Sequence, residues 1–180
     1  MSRVVYCSLA GLMMLAFAFP ASAGNIYCTV VGAKQGKFQV DPGVHGDSTQ
    51  IAVYALTGEL KVPYDAASGL STGKRQHSPV TIVKELDKSS PQFFTAAVDN
   101  ETLHSVTCTL YRNAADGAMR AYYKIVLTNA NIVEIKDSGD GVNGAAQGDE
   151  RERISFVYAK IELTDLDSNT TAIDDWVSIQ

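Results

Sequence analysis

The chain has 180 residues, a formal net charge of −5 and 15 Lys plus Arg against 20 Asp plus Glu. A mildly acidic chain without a lysine or arginine cluster lacks the electrostatic footprint of a nucleic-acid binder, so no nucleic-acid partner is expected. Its length suits one sizeable core rather than several.

Residues 1–23 carry a single charge, Arg3, then an apolar run from Val4 to Phe19, then Pro20 and the triplet Ala21-Ser22-Ala23. A basic start, an apolar middle and a small-x-small end are the three parts of a secretory signal peptide. The charge holds the start on the cytoplasmic side, the apolar stretch partitions into the bilayer, and small side chains fit the peptidase cleft. Interrupted by Pro20, the run is shorter than the ~20 apolar residues that a spanning helix needs. Cleavage is therefore expected after Ala23, with an exported mature chain, periplasmic or secreted, and no membrane attachment once the signal is gone. Cys7 precedes the long apolar stretch that begins at Leu9 and should leave with the signal.

Cys28 and Cys108 then remain. Export would place them in an oxidising compartment. Each sits in the apolar phase of a strand-like segment, Ile26-x-Cys28-x-Val30 and Val106-x-Cys108-x-Leu110. A structural disulfide and two packed free thiols are both compatible with that pattern, because pairing geometry is not written in sequence.

The dominant hydrophobic period is two. Strands are predicted over residues 25–31, 50–60, 79–86, 104–112, 119–127, 132–136 and 152–164. All are rich in β-branched and aromatic residues. In the third, Val80, Ile82 and Lys84 share a face. In the last, Ile154, Phe156 and Tyr158 share one, and Ile161 and Leu163 continue one residue out of phase. The same slip occurs between Leu127 and Ile132. A bulge is expected at each slip, since an unabsorbed slip turns apolar side chains to solvent.

One helix stands out. Ser89 as cap with Gln92 three residues on reads as a capping box, and Pro91 suits the first turn, where its missing N–H costs nothing. Phe93, Phe94, Ala97 and Val98 should form its core face, and Asn100 should end it. The fold class is therefore mainly β: an antiparallel barrel-like or sandwich fold with one short flanking α-helix. Residues 61–78 and 137–151 read as long loops, the second rich in glycine and acidic residues. Long loops in compact domains are usually functional or disordered.

The chemical search excludes more than it finds. There is no nucleophile elbow, phosphate-binding glycine loop or zinc-protease motif. His45, His77 and His104 are isolated in sequence and read as surface residues. The loop starting at Asp137 places glycine at the third and twelfth positions, where a hand-type calcium loop needs oxygen ligands. No catalytic residue, metal or cofactor is expected.

The informative stretch runs from Asp65 to Pro91. It holds Gly69, then Thr72-Gly73-Lys74-Arg75, then a strand ending Lys84-Glu85-Leu86-Asp87-Lys88-Ser89-Ser90-Pro91. This resembles the signature of the Hcp family (haemolysin-coregulated protein), the tube protein of bacterial type VI secretion. Leu110-Tyr111-Arg112, the strand from Tyr123, the strand from Ile154 and Asp174-Asp175-Trp176 follow in the family's order. With the signal segment, residues 1–23, set apart by its own three-part pattern, the resemblance makes residues 24–180 an Hcp-like β-barrel domain. It implies a structural, non-enzymatic protein. Its partners would be copies of itself, as homohexameric rings stacked into a tube, together with effector proteins and spike or sheath components. The loop with Lys61, Asp65, Gly69, Thr72, Gly73, Lys74, Arg75 and His77 would then carry ring-to-ring contacts, and its charges would make them salt-sensitive. The family's tube is built in the cytoplasm, so the signal segment suggests a second reading: an exported binding or effector module that kept the fold and left the machine.

Overall fold

The computed structural model describes residues 25–40, 47–114, 116–138 and 150–176. The expected signal segment, His45 and residues 139–149 of the acidic loop lie outside them. The elements are β1 (Asn25–Gly32), β2 (Gly36–Lys37), β3 (Ile51–Val53), β4 (Ala55–Thr57), β5 (Leu60–Lys61), β6 (Gln76–His77), β7 (Val80–Glu85), α1 (Ser90–Val98), β8 (Leu103–Asn113), β9 (Met119–Ser138), β10 (Arg151–Asp165) and β11 (Thr170–Asp175).

The main sheet runs β2-β1-β8-β9-β10-β7-β4, with β3 on β1 and β11 on β10, and its ladders are antiparallel. Closure depends on one short segment. Ile51–Val53 pairs with β1 and Ala55–Thr57 with β7, and only Tyr54 separates them. Tyr54 keeps the ladder going by donating its N–H to the Val83 carbonyl at 2.8 Å. Residues 51–57 therefore zip the two ends of the sheet into a barrel, which removes most of its open edge.

Alternation fills the barrel as its period dictates. Cys28, Val30, Ile51, Val53, Val80, Ile82, Val106, Cys108, Leu127, Ile154, Phe156 and Tyr158 are all buried. The expected slips in phase have a different physical solution from the expected bulges. Leu127 and Ala130 are both buried, three apart, and Asn129 between them adopts φ 50°. Their partners on β10 are Ile161 and Tyr158, also three apart, and Leu103 and Val106 repeat the spacing on β8. Three neighbouring strands thus change face at the same rung, so the ladder keeps its register through the bend. One-residue register shifts occur elsewhere, between Leu110 and Tyr111 on β8 and between Ser155 and Phe156 on β10.

Helix α1 covers the core with Phe93, which is edge-on to Phe38 at 5.0 Å and lies 6.3 Å from Phe156. Ser89 is the cap residue and Pro91 lies in the first turn, but the expected capping box is not made. Ser89 Oγ instead donates to Asp87 at 2.6 Å, and Gln92 Oε1 accepts the Gln39 N–H at 2.7 Å. The capping box thus gives way to a neighbouring carboxylate for Ser89 and a tertiary partner for Gln92. The buried face is also narrower than periodicity suggested: it is Phe93 and Ala96, while Phe94 is 63% exposed and Val98 69%. Consecutive residues turn about 100° on a helix, so Phe93 and Phe94 cannot both face one barrel. Asn100, at φ 47°, ends the helix, with its N–H on Ala97 and that of Glu101 on Ala96. This is the paired-bond arrangement of a left-handed C-terminal cap.

Two buried charges organise what surrounds the helix. Glu101 accepts the N–H groups of Lys34 and Gln35 at 2.6 and 2.9 Å, and the Gln35 amide at 3.0 Å. Burial pushes its carboxyl up, but these hydrogen bonds together outweigh burial and hold it below its ordinary value. A side chain at Gly32 would collide with this carboxylate, so glycine is required there. Lys84, in phase with Val80 and Ile82, is 0% exposed. Its ammonium reaches Glu152 at 3.0 Å, Asp87 at 2.9 Å, Ser90 Oγ at 2.9 Å and the Glu85 carbonyl at 2.6 Å. Lys84→Met should leave Glu152 buried without its cation and cost about 3–5 kcal/mol. A second change, Glu152→Met, should restore much of that loss. Urea unfolding of the two variants checks both halves.

Candidate functional site

Residues 61–78 form an ordered arm where an irregular loop was expected. Leu60 pairs with His77 and Lys61 with Gln76, and a further bridge joins Tyr64 to Ser71. Thr72 N–H donates to the Pro63 carbonyl at 2.9 Å, and Asp65 N–H to that of Leu70 at 2.9 Å. At the tip, Asp65 accepts the Ala67 and Ser68 N–H groups and the Ser68 hydroxyl, which lowers its carboxyl. Gly69, at φ 71°, makes the turn, a conformation open to glycine. Gly73 lies against Pro63. Polar residues hid this hairpin in the sequence, because turn chemistry and backbone ladders hold it without an apolar stripe.

The arm presents apolar side chains to solvent. Tyr64 and Leu70 are each 69% exposed, and Leu60 and Val62 are about half exposed. Lys61 pairs with Glu59 at 3.1 Å on the surface. Lys74 is exposed and makes no ion pair among the described residues.

The base is built differently. Arg75 donates through Nε and Nη2 to both oxygens of Asp174 on β11. His77 lies between two partners: Nε2 is 2.8 Å from Asp174 Oδ2, and Nδ1 is 3.0 Å from the Tyr158 hydroxyl. Trp176 packs on His77 at 5.3 Å and on Tyr158 at 5.7 Å. The Arg75 hydrogen bonds, helped by His77, hold the Asp174 carboxyl below its ordinary range. Burial, with the Asp174 charge, pushes the Tyr158 hydroxyl up. Two of the eight expected contact residues, Arg75 and His77, therefore bond to β11 and anchor the arm, His77 from a largely covered position and Arg75 at the surface. His77 is not the surface histidine its isolation suggested.

Asp174, Tyr158 and Trp176 carry no local sign of being partners of His77, because Asp174 lies 97 residues from it. A cavity of about 500 Å³ borders Lys74, Arg75, Gln76, His77 and Trp176. A more apolar hollow of about 270 Å³ lies under the arm among Leu56, Leu60, Val80, Ile125, Tyr158 and Ile161. Among the described residues, no three His, Cys, Asp or Glu side chains come together as a metal site. The polar groups at the anchor satisfy one another, which is the arrangement of a structural joint.

The family described as "Type VI secretion system effector, Hcp" matches residues 34–164. The chain belongs to the Hcp family. It is 35% identical over 163 residues to the "Major exported protein" of Pseudomonas aeruginosa, covering 84% of this chain and 95% of that protein. The secreted protein Hcp3 of Pseudomonas aeruginosa has the same fold, with a TM-score of 0.71, 31% identity and coverage of 86% of this chain and 99% of that one. A further Hcp crystal structure superposes with a TM-score of 0.78 at 24% identity, covering 86% and 98%, and supports the fold. The antiparallel barrel with one flanking helix is thus the Hcp fold.

Asp174→Asn should weaken the grip on Arg75 and His77 without touching the barrel core. Hydrogen exchange should then quicken several-fold at the amides of Lys61, Gln76 and His77, while those of β8 and β9 stay protected. Unchanged exchange at the arm would show that its ladder stands without the anchor.

Proposed function

We propose that this Hcp-family chain is an exported structural subunit that closes into rings, most simply of six, and that the 61–78 arm makes the contact between stacked rings. The observation that carries this reading is the arm itself. It holds Val62, Tyr64 and Leu70 out in solvent on a hydrogen-bonded ladder fixed to the body by Asp174. Exposed apolar patches on a rigid element mark protein interfaces. A subunit meeting its neighbour head-to-tail needs such a surface, and cyclic closure stops the sideways contact from propagating. Family membership supports type VI secretion as the setting, with effector proteins as passengers and spike or sheath components as neighbours. Anchor groups that pair with one another support a structural role over an enzymatic one.

The anchor changes which charges serve stacking. Arg75 is committed within the chain, so Lys74 is the cation of the arm that remains for a neighbour. Leu70→Asp with Tyr64→Asp should abolish stacking and leave single rings, and Lys74→Glu should weaken stacking most at low salt. Light scattering and electron microscopy distinguish monomers, rings and tubes. A strictly monomeric wild-type chain at high concentration would sink the ring reading. Stacking that survives the Leu70 and Tyr64 changes would sink the role of the arm.

The pattern at residues 1–23 favours a second reading, an exported module that no longer loads into a sheath. Both readings require export, and the relative named "Major exported protein" supports it. Mass spectrometry of material from outside the cytoplasm should find a chain starting at Gly24. A retained Met1 there would overturn the signal-peptide assignment. Rings found in solution but no tubes in the cell would favour the second reading.

A further inference from the structure

Cys28 and Cys108 are direct cross-strand partners on β1 and β8. Ile26 faces Leu110 on one side of them and Val30 faces Val106 on the other. On the same rung Cys28 also pairs with Ile51 of β3, and Cys108 with Ile125 of β9. The two cysteines are therefore the middle of a four-strand rung, Ile51, Cys28, Cys108, Ile125, with ladders on both outer sides. They are 0% and 3% exposed, their Cα atoms are 4.0 Å apart, and a disulfide joins them. The 80-residue separation encloses β2 to β7 and the whole of α1, so the bridge ties the barrel seam, the arm and the helix into one loop.

We propose that this pair is a folding-stage oxidation site: a thiol–disulfide oxidant of an oxidising compartment acts on the chain before β1 is zipped between β3 and β8, and the closed barrel then seals the bridge from reductant. The assignment rests on the export reading for its compartment. The chemistry balances as an exchange. One cysteine thiolate attacks the oxidant's disulfide and forms a mixed disulfide. The second cysteine thiolate then displaces the oxidant's thiol. One S–S bond forms in the chain, one breaks in the oxidant, and the two protons lost by the cysteines end on the oxidant's two thiols. Each step needs a sulfur open to an incoming sulfur. In the native sheet neither is open, because β1 would first have to part from β3 or β8. Oxidation and reduction are thus both confined to the unfolded or partly open chain, and the bridge records the compartment in which the chain folded.

The test uses the full chain with its own N-terminal segment, collected from outside the cytoplasm. Unfolded without reductant and treated with a maleimide, it should carry no label on the peptides holding Cys28 and Cys108. Label on both would refute the bridge. Reduced and unfolded chain is then refolded with oxidised glutathione added either at the start or after refolding is complete. Bridge formation should be at least 100-fold faster when the oxidant is present from the start, and equal rates would overturn the folding-stage assignment. The native oxidised protein should resist tris(2-carboxyethyl)phosphine until denaturant is added, and prompt reduction in buffer alone would overturn the sealing claim. Light scattering on the oxidised and reduced forms keeps this separate from assembly: rings with free thiols would defeat the oxidation site alone, and a bridged monomer would defeat the ring reading alone.

Discussion

The buried ammonium of Lys84 constrains more of this fold than any other group. A cation removed from water must find its full set of acceptors, or the site costs several kcal/mol. The acceptors come from four places: Glu152 on β10, the Glu85 carbonyl at the end of β7, Asp87 on the turn, and Ser90 in the first turn of α1. The same charge therefore fixes how β7 sits on β10, where the strand stops and where the helix begins. It also explains the family motif in physical terms. In Lys84-Glu85-Leu86-Asp87-Lys88-Ser89-Ser90-Pro91, the first lysine is the hub, Asp87 and Ser90 are two of its acceptors, and Ser89 fixes Asp87 by donating to it. Pro91 then starts a helix whose Phe93 lies 5.9 Å from the same ammonium.

From that corner the order of dependence runs outward. The helix brings Phe93 onto Phe38 and Phe156, and its end delivers Glu101 to hold the 33–35 turn. The barrel is closed by residues 51–57, and its long strands bend together at the rung of Asn129. Beyond the bend, β10 is free of β7 and pairs with β11 along the same edge. That hand-over places Asp174 beside the base of the arm. The arm stands at a defined angle because β11 supplies a carboxylate for Arg75 and His77 to share.

What could be read in the sequence was whatever had a local period or a contiguous motif. Alternation gave the strands, Pro91 and Asn100 bounded the helix, and the stretch from Asp65 to Pro91 carried the family. The slips in phase at Leu127 and Tyr158 were also visible, but their meaning was not: a single strand cannot show that its two neighbours slip at the same rung. Lys84 was placed on the buried face by period alone, although its acceptors could not be named. Phe94 and Val98 were read as core because a short helix does not reveal which sector meets the sheet. The anchor of the arm was illegible for a different reason. Arg75, His77, Tyr158, Asp174 and Trp176 are held together by tertiary pairing across nearly a hundred residues, and each alone is an ordinary surface polar or aromatic residue.

The placement of polar and apolar surface bears on the choice between two kinds of protein. In an enzyme, polar side chains converge on a hollow and leave some of their bonding capacity for a substrate. Here the polar groups at the base of the arm are turned on one another: Arg75 and His77 are closed by Asp174, and Tyr158 is closed by His77, while Lys74 and Gln76 stay exposed on the rim of the larger hollow. Several large apolar side chains point outward, among them Tyr64, Val62 and Leu70 on the arm and Phe94 and Val98 on the helix. The arm is held by the Asp174 anchor, and the start of the helix by the buried Lys84 cluster. The Asp174 anchor thus keeps Tyr64, Val62 and Leu70 in solvent on an ordered ladder, and the proposed stacking contact rests on that surface.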